Sequence, residues 1–141
     1  MVSFLKRMLG RASEPESAAI GRRGEREAEK LLKRKGYQIL ARNWRSGRDE
    51  IDLICLHGKA VVFVEVRTRK VGALVSGYDS IDRRKREALR RVCRSYFGMM
   101  KPKPITLRFD VVEIEHDEGT ITASRHFDDV PLFSKSSNRG G

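Results

Sequence analysis

Hydrophobic positions change their spacing along the chain, and each spacing predicts one type of element. Apolar residues recur every three to four positions between residues 21 and 32 and again between 81 and 97, which is the spacing of an amphipathic helix. Elsewhere, short apolar runs and alternation with polar residues indicate strands. The predicted order is α-β-β-β-α-β-β, with helices over 17–35 and 81–97, a strand over 37–43, a hairpin over 49–69 turned at His57-Gly58, and strands over 105–115 and 120–127.

Residues with known positional preferences predict where the helices begin and end. Ser17 is placed to cap the first helix, and Gly36 is expected to end it because glycine tolerates positive φ. Ser80 and Gly98 are expected to bound the second helix in the same way. The segments 44–49 and 70–80 are predicted to be a connection and a mobile loop.

The hairpin contains two acids where an ordinary core would have apolar residues. Asp52 lies in I-D-L-I, and Glu65 lies in V-V-F-V-E-V. A carboxylate in such a run is costly unless something pairs with it or it coordinates a metal ion. Because side chains alternate along a strand, Glu65 and Arg67 share one face and are opposed to the acid of the other strand.

We interpret this arrangement as a metal and phosphate site. Asp52, Glu65 and the backbone carbonyl of Val66 are oxygen ligands suited to Mg²⁺, and a nearby cation stabilises charge that develops on a phosphate. The alternative is a structural salt bridge between Glu65 and Arg67 or Arg69.

Two charged residues of the helices stand out for the same reason. Counted at about 100° per residue, Glu25 falls at the edge of the apolar stripe of the first helix, where it is either a solvated acid or a further member of the cluster. Lys85 falls in the middle of the apolar stripe of the second helix. It either extends its amine to solvent at the sheet edge or points at the acids.

Composition narrows the class of protein. With 141 residues the chain is expected to form one domain over 17–130, between a flexible arm over 1–16 and a disordered tail over 131–141. Thirty Lys and Arg against nineteen Asp and Glu give a net charge of +11. That charge favours nucleic acid, although basic ribosomal and membrane-surface proteins have a similar balance. The residues expected to contact nucleic acid are Arg45, Arg48, Arg69, Arg83, Arg84, Arg86 and Arg90.

Other chemistries lack support in the sequence. The two cysteines, Cys55 and Cys93, form no C-x-x-C pair and are expected to be buried free thiols. The histidines have no ligand spacing, and no serine lies in a G-x-S-x-G context. The start of the chain does not resemble a secretion signal, and no apolar run is long enough to cross a membrane. We therefore expect a cytoplasmic protein.

Several separated blocks resemble the bacterial YraN family, UPF0102. They are G-R-R-G-E-R-E-A-E-K-L-L-K-R-K-G-Y-Q-I-L-A-R-N-W-R (21–45), E-I-D-L-I (50–54), V-V-F-V-E-V-R-T-R (61–69) and L-R-F-D-V-V (107–112). That family is similar to the PD-(D/E)XK nucleases and, in arrangement, to archaeal Holliday-junction resolvases. The resemblance implies an α/β (α+β) fold with a restriction-endonuclease-like core, in which helices flank a mixed central sheet.

The resemblance also implies roles for individual residues. The helix acid of the resolvase-like pattern falls on Glu25, its aspartate on Asp52, and its (D/E)-x-K element on Glu65, Val66 and Arg67. Arginine at 67 departs from the usual lysine, and a guanidinium binds phosphate but is a poor proton shuttle. Our own inference is that Lys85 supplies the missing amine.

These observations predict an endonuclease that uses Mg²⁺ or Mn²⁺ to hydrolyse phosphodiester bonds in branched or structured DNA. The predicted catalytic residues are Glu25, Asp52, Glu65, Arg67 and Lys85, of which the three acids are the predicted metal ligands. A module that binds nucleic acid without catalysis is the alternative, and a basic adaptor for a protein partner is a third hypothesis. A homodimer is left open.

Overall fold

The computed structural model describes residues 15–73, 81–104 and 106–133. Within those residues the chain forms two helices and five strands in the predicted order α-β-β-β-α-β-β. The elements are α1 (Glu16–Arg34), β1 (Gln38–Ser46), β2 (Asp49–His57), β3 (Ala60–Lys70), α2 (Arg83–Met99), β4 (Thr106–Asp117) and β5 (Thr120–Phe127).

The strands form one mixed sheet in the order β1-β2-β3-β4-β5. Every neighbouring pair is antiparallel except β3 and β4, which are parallel. Parallel neighbours need a crossover connection of a dozen or more residues, usually a helix, and α2 is that crossover. The mixed sheet is the one expected for a restriction-endonuclease-like core.

Each helix covers one face of the sheet. On one face Ala28 and Leu32 of α1 pack in a cluster with Val62 and Val64 of β3. On the other face Leu89, Val92 and Cys93 of α2 pack in a cluster with Val61 and Phe63 of β3. Because β3 is covered on both sides, residues 61–64 are all fully buried, which explains why this strand is a continuous apolar run.

The helix ends differ from the prediction in three places. Pro15, without a side-chain cap, precedes α1, so the prediction of Ser17 as its cap was wrong. Ser80 lies outside the described residues, and Asp82 caps α2 by accepting a hydrogen bond from the Lys85 N–H at 2.8 Å. Gly98 lies inside α2, which continues to Met99. Gly36 follows α1 with φ of +88°, as predicted.

Strand β1 is longer than its sequence pattern indicated. Residues 44–46 pair with β2 instead of connecting to it, and the turn that follows is confined to residues 47 and 48. Trp44 is the reason: its ring packs against Tyr96 at 5.1 Å, as a half-buried anchor between β1 and α2.

The ends of the chain and the predicted loop fall largely outside the described residues. This is true of residues 1–14, 74–80 and 134–141. Leu132, which the sequence analysis assigned to the tail, is 5% exposed and packs in the α2-side cluster. Cys55 and Cys93 are buried and free, as predicted. Neither helix in the described part of the chain is both long and apolar enough to cross a membrane.

Gly24 allows α1 to approach the sheet at the level of the candidate site. A Cβ at this position would overlap Thr68 Oγ1 of β3. We expect Gly24→Ala to lower the free energy of unfolding by about 1–3 kcal/mol because the helix must move away from the strand, and urea unfolding measures this change.

Gly21, one turn earlier in α1, provides the matched control. A Cβ there would meet no atom within 4 Å, so Gly21→Ala is expected to stabilise the protein by roughly 0.5–1 kcal/mol. If Thr68 is the obstacle, Thr68→Ala restores most of the loss caused by Gly24→Ala. Equal effects at the two glycines would contradict this interpretation.

Candidate active site

The two acids of the hairpin lie where β2 and β3 separate. The β2–β3 ladder ends at the pair Leu53↔Val64, so the next opposed residues in this register are Asp52 and Glu65. Asp52 Oδ2 accepts the backbone N–H of Val66 at 2.8 Å. We call the point where β2 and β3 separate, with Asp52 and Glu65 opposed across it, the β2–β3 fork. There the side chain of Asp52 accepts a hydrogen bond from a strand N–H, which holds its carboxylate beside Glu65.

Glu65 is buried with little compensation for its charge. The residue is 3% exposed, and its Oε2 accepts no hydrogen bond within the described part of the chain. Lys85 Nζ of α2 lies 3.2 Å from that oxygen, close enough for an ion pair but without hydrogen-bond geometry. Of the two alternatives for Lys85, the structure shows the amine pointing at the acids.

Asp52 holds a proton more tightly than an ordinary aspartate. Burial, and then the hydrogen bond and the charge of Glu65, raise the pKa of Asp52 to about 8. The Val66 N–H and the Lys85 charge oppose that rise. Two carboxylates can share a hydrogen bond only when one of them is protonated. The two acids at the fork therefore favour sharing one proton when no cation neutralises their charge.

Glu25 approaches the same acids from α1. It lines a cleft of about 150 Å³ between α1, β1 and β2, which Asp52, Asn43 and Glu29 also line. Burial, and then the charge of Asp52, raise the pKa of Glu25. Glu25 is therefore not the fully solvated acid that was the alternative in the sequence analysis.

Arg67 lies two residues beyond Glu65 in β3 and is half-buried. By strand alternation it is on the same side of the sheet as Glu65, and in the parallel register it is level with Glu113 of β4. Lys85 of α2 is in ion-pair contact with Glu65.

The oxygen atoms at the fork are of the kind that bind a hard divalent cation such as Mg²⁺. Asp52, Glu65 and backbone carbonyls present oxygen atoms, and Glu65 Oε2 is buried without a hydrogen bond among the described residues. No group of three His, Cys, Asp or Glu side chains in the described residues is arranged to hold a metal ion. Mg²⁺ commonly binds one or two carboxylates and retains several waters, so two acids are sufficient.

The arginines expected to contact nucleic acid fall into two groups. Arg48 and Arg84 are exposed and line a cleft of about 300 Å³ between the β1–β2 turn and α2. Arg45 is also largely exposed, although it lies 3.3 Å from Glu50. These three residues are accessible to a polyanion.

Arg83 is exposed as well, although it pairs with Glu87 at 3.5 Å. The other three predicted contacts are partly covered. Arg86 and Arg90 donate from Nε to the carbonyls of Ile81 and Leu132. Arg69 Nε is buried and has no acceptor among the described residues.

The sequence analysis missed two residues that shape the site. Arg91 grips Asp49 through two hydrogen bonds of 3.0 Å, which fixes the start of β2 against α2. Asn43 bridges two acids, Glu25 of α1 and Glu50 of β2. The position of Arg91 among the cations of α2 was visible in the sequence, but its pairing depends on the tertiary packing.

A second buried acid shows what a structural carboxylate looks like in this fold. Asp110 of β4 is fully buried. It accepts hydrogen bonds from Tyr37 Oη at 3.0 Å, from Arg108 Nε at 3.0 Å, and from the Asp129 N–H at 3.0 Å, and it lies 2.8 Å from His126 Nε2. Although burial alone would raise it, these partners hold the pKa of Asp110 below its usual value. By contrast, Glu65 Oε2 accepts no hydrogen bond within the described part of the chain.

Comparison with known proteins identifies the family. Residues 24–114 match the family described as "Uncharacterised protein family UPF0102". This chain belongs to the UPF0102 family. A UPF0102 protein of Nitratidesulfovibrio vulgaris is 39% identical over 123 residues, covering 87% of this chain and 90% of the relative. One from Porphyromonas gingivalis is 36% identical over 121 residues (84% and 89%), and one from Caldicellulosiruptor saccharolyticus is 42% identical over 97 residues (67% and 80%).

The UPF0102 match confirms the family expected from the resemblance. The matched range contains all five predicted catalytic residues and all seven predicted nucleic-acid contacts. The family is described as uncharacterised, so the match identifies the relatives of this chain without naming an activity.

In this UPF0102 protein, Asp52→Asn is expected to flatten the pH dependence of stability. The pKa of Asp52 is about 8 in the folded protein against an ordinary value of 3.8. Its ionisation therefore lowers the free energy of unfolding as pH rises from about 4 to about 8, and adds no further change outside that window. We expect the variant to exceed the wild type by about 2–5 kcal/mol at pH 8 and to approach it at pH 4.

Urea unfolding of Asp52→Asn and the wild type at several pH values measures this difference, and Asp49→Asn is the matched control. The hydrogen bonds of Arg91 hold the pKa of Asp49 below its usual value, so its contribution is complete above pH 4 and is lost only at lower pH. This control should lower stability by a similar amount at pH 5 and pH 8. The interpretation would be contradicted if the difference in free energy of unfolding between Asp52→Asn and the wild type were the same at pH 5 and at pH 8. The acids at the fork would then not be coupled as described.

Proposed function

We propose that this protein is a divalent-metal-dependent endonuclease that hydrolyses phosphodiester bonds in branched or structured DNA. The observation that supports the proposal best is the pair of opposed acids at the β2–β3 fork. One of them, Glu65, has a buried oxygen, Oε2, that accepts no hydrogen bond among the described residues and faces Lys85. A buried acid of this kind destabilises a fold, and such conflicts are concentrated at functional sites.

Asp52 and Glu65 would hold Mg²⁺ or Mn²⁺, with Glu25 supporting them from α1. A divalent ion bound there supplies Lewis-acid chemistry and lowers the pKa of a bound water. The Val66 N–H fixes the Asp52 carboxylate at 2.8 Å and so sets the orientation of one ligand in advance. The protonated pair would lose its proton when a cation neutralises it, because ligands bind metal in their ionised form.

Lys85 and Arg67 would act on the phosphate. The amine of Lys85 lies 3.2 Å from Glu65. It would orient the attacking water, and it would accept the proton of that water only after a divalent cation has replaced it as the partner of Glu65, a proton transfer that a guanidinium performs poorly. Arg67 lies further along the same face of β3 and would offset charge on the scissile phosphate.

The exposed arginines would bind flanking phosphates. Arg48 and Arg84 line the cleft beside the β1–β2 turn, and the net charge of +11 supplies a general attraction for polyanions. Contacts to phosphates carry little sequence information, so we expect salt-sensitive binding with weak sequence preference.

The arginine at position 67 favours a second candidate function. If no amine serves the attacking water, the same surface would bind nucleic acid without cleaving it. This alternative predicts binding that weakens steeply with salt, no cleavage with either metal, and unchanged affinity in EDTA when Asp52 is replaced by alanine.

Cleavage of junction, flap and duplex DNA with Mg²⁺ or Mn²⁺ tests the proposal. Glu65→Gln is expected to reduce the cleavage rate by about a hundredfold or more, because it removes a charge from the ligand set. Glu115→Gln is the matched control, since this acid of the same sheet pairs with Arg125 at 3.4 Å and lies beyond the fork. Equal cleavage by wild type and Glu65→Gln, or no metal-dependent product, would refute the endonuclease.

Substitution of Lys85 tests which cation serves the water. We expect Lys85→Met to lower the cleavage rate by about 10²-fold or more and Lys85→Arg to fail to restore it, because arginine stays protonated. Lys30→Met, at an exposed position of α1, should cleave like the wild type. Full activity in Lys85→Arg would assign the amine a purely electrostatic role.

A further inference from the structure

Asn43 adopts a left-handed backbone conformation beside the acids. Its φ is +46°, and its neighbours in β1 form the pairs Arg42↔Leu53 and Trp44↔Ile51, so Asn43 is level with Asp52. Among residues with side chains, asparagine is one of the few that enter the left-handed region readily. A larger or β-branched residue would be strained at this point of the strand.

The side chain of Asn43 links two carboxylates. One end of its amide lies 3.3 Å from Glu25 Oε2 and 3.3 Å from Glu50 Oε1. Ionised carboxylates only accept hydrogen bonds, so the end that faces both must be the NH₂ group. Asn43 therefore donates to an acid of α1 and to an acid of β2 at the same time.

The two helix acids of this cleft are held in different ways. Glu29 is gripped by Arg42, with Nε–Oε2 at 2.9 Å, and is also paired with Lys33 at 3.0 Å. These cations lower the pKa of Glu29 to about 2. Glu25, one turn earlier, is instead tied to β1 by a neutral amide, with the charge of Arg22 acting from its own helix.

A neutral donor orients an acid without cancelling its charge. The hydrogen bond directs one oxygen of Glu25 toward β1, in the cleft that Asp52 of β2 also lines, and the charges of Asp52 and Glu50 act on it there. A lysine or arginine at position 43 would instead form an ion pair with this carboxylate, as Arg42 does with Glu29. The amide of Asn43 therefore orients the carboxylate of Glu25 without adding a positive charge beside it.

We propose that Asn43 is a positioning residue that holds the Glu25 carboxylate in the cleft it shares with Asp52, so that Glu25 supports a cation bound by the two acids of the β2–β3 fork. This inference rests on the proposed function, because it gives Glu25 its part in binding the divalent cation. Asn43 itself acts through Glu25.

Mn²⁺ affinity measured by calorimetry tests the inference without requiring cleavage. Asn43→Gly keeps the left-handed conformation and removes the amide. We expect it to weaken Mn²⁺ binding about tenfold, as the loss of residues that orient metal ligands does. Glu25→Ala should weaken binding to a similar extent, and the double variant should be no weaker than either single one, since both act through the same carboxylate.

Glu118→Gly is the matched control for introducing glycine. Glu118 also has a positive φ, +47°, and lies in the β4–β5 turn, so this variant should bind Mn²⁺ like the wild type. Asn43→Gly with wild-type Mn²⁺ affinity, or additive losses in the double variant, would overturn the inference while the wild type still binds the ion. A wild type that binds no Mn²⁺ would overturn the proposed function and the inference together.

Discussion

The burial of two opposed carboxylates at the β2–β3 fork is the constraint on which the rest of the structure depends. Glu65 is 3% exposed in the middle of the sheet, where an unpaired charge is strongly unfavourable. Three features reduce the conflict: the Val66 N–H bound to Asp52, the Lys85 amine, and the proton that the pair retains. None of the three removes it. A bound divalent cation would neutralise both acids at once, which gives the proposed metal site its physical basis.

The fold brings the compensating groups to the fork from separate elements. The parallel pairing of β3 and β4 requires a crossover, and α2, which provides it, carries Lys85 to Glu65. Gly24 lets α1 lie close to β3, which places Glu25 near Asp52. Arg91 and Asp49 tie α2 to the start of β2. The site is therefore built on rigid elements, with exposed arginines around it.

Two buried acids in one sheet show how structural and functional roles differ. Asp110 is surrounded by donors from four residues, and its pKa is lowered despite full burial. Glu65 has one amine nearby and an oxygen without a hydrogen bond among the described residues. The sequence pattern presents both as single acids in apolar strands. Their difference lies in the groups that surround them, and it favours a functional role for Glu65 only.

Local pattern determined the order of elements, the apolar faces, the end of α1 at Gly36 and the family. Each depends on spacing or on the intrinsic preference of a residue, which are properties of the chain. The register of the hairpin also followed from its apolar runs, so opposing acids were predictable. Only tertiary structure decided that Trp44 extends β1, that Lys85 points at Glu65, and that Asn43 links Glu25 to β1. Those outcomes depend on which side chains distant parts of the chain bring within a few ångströms, and no local spacing encodes that.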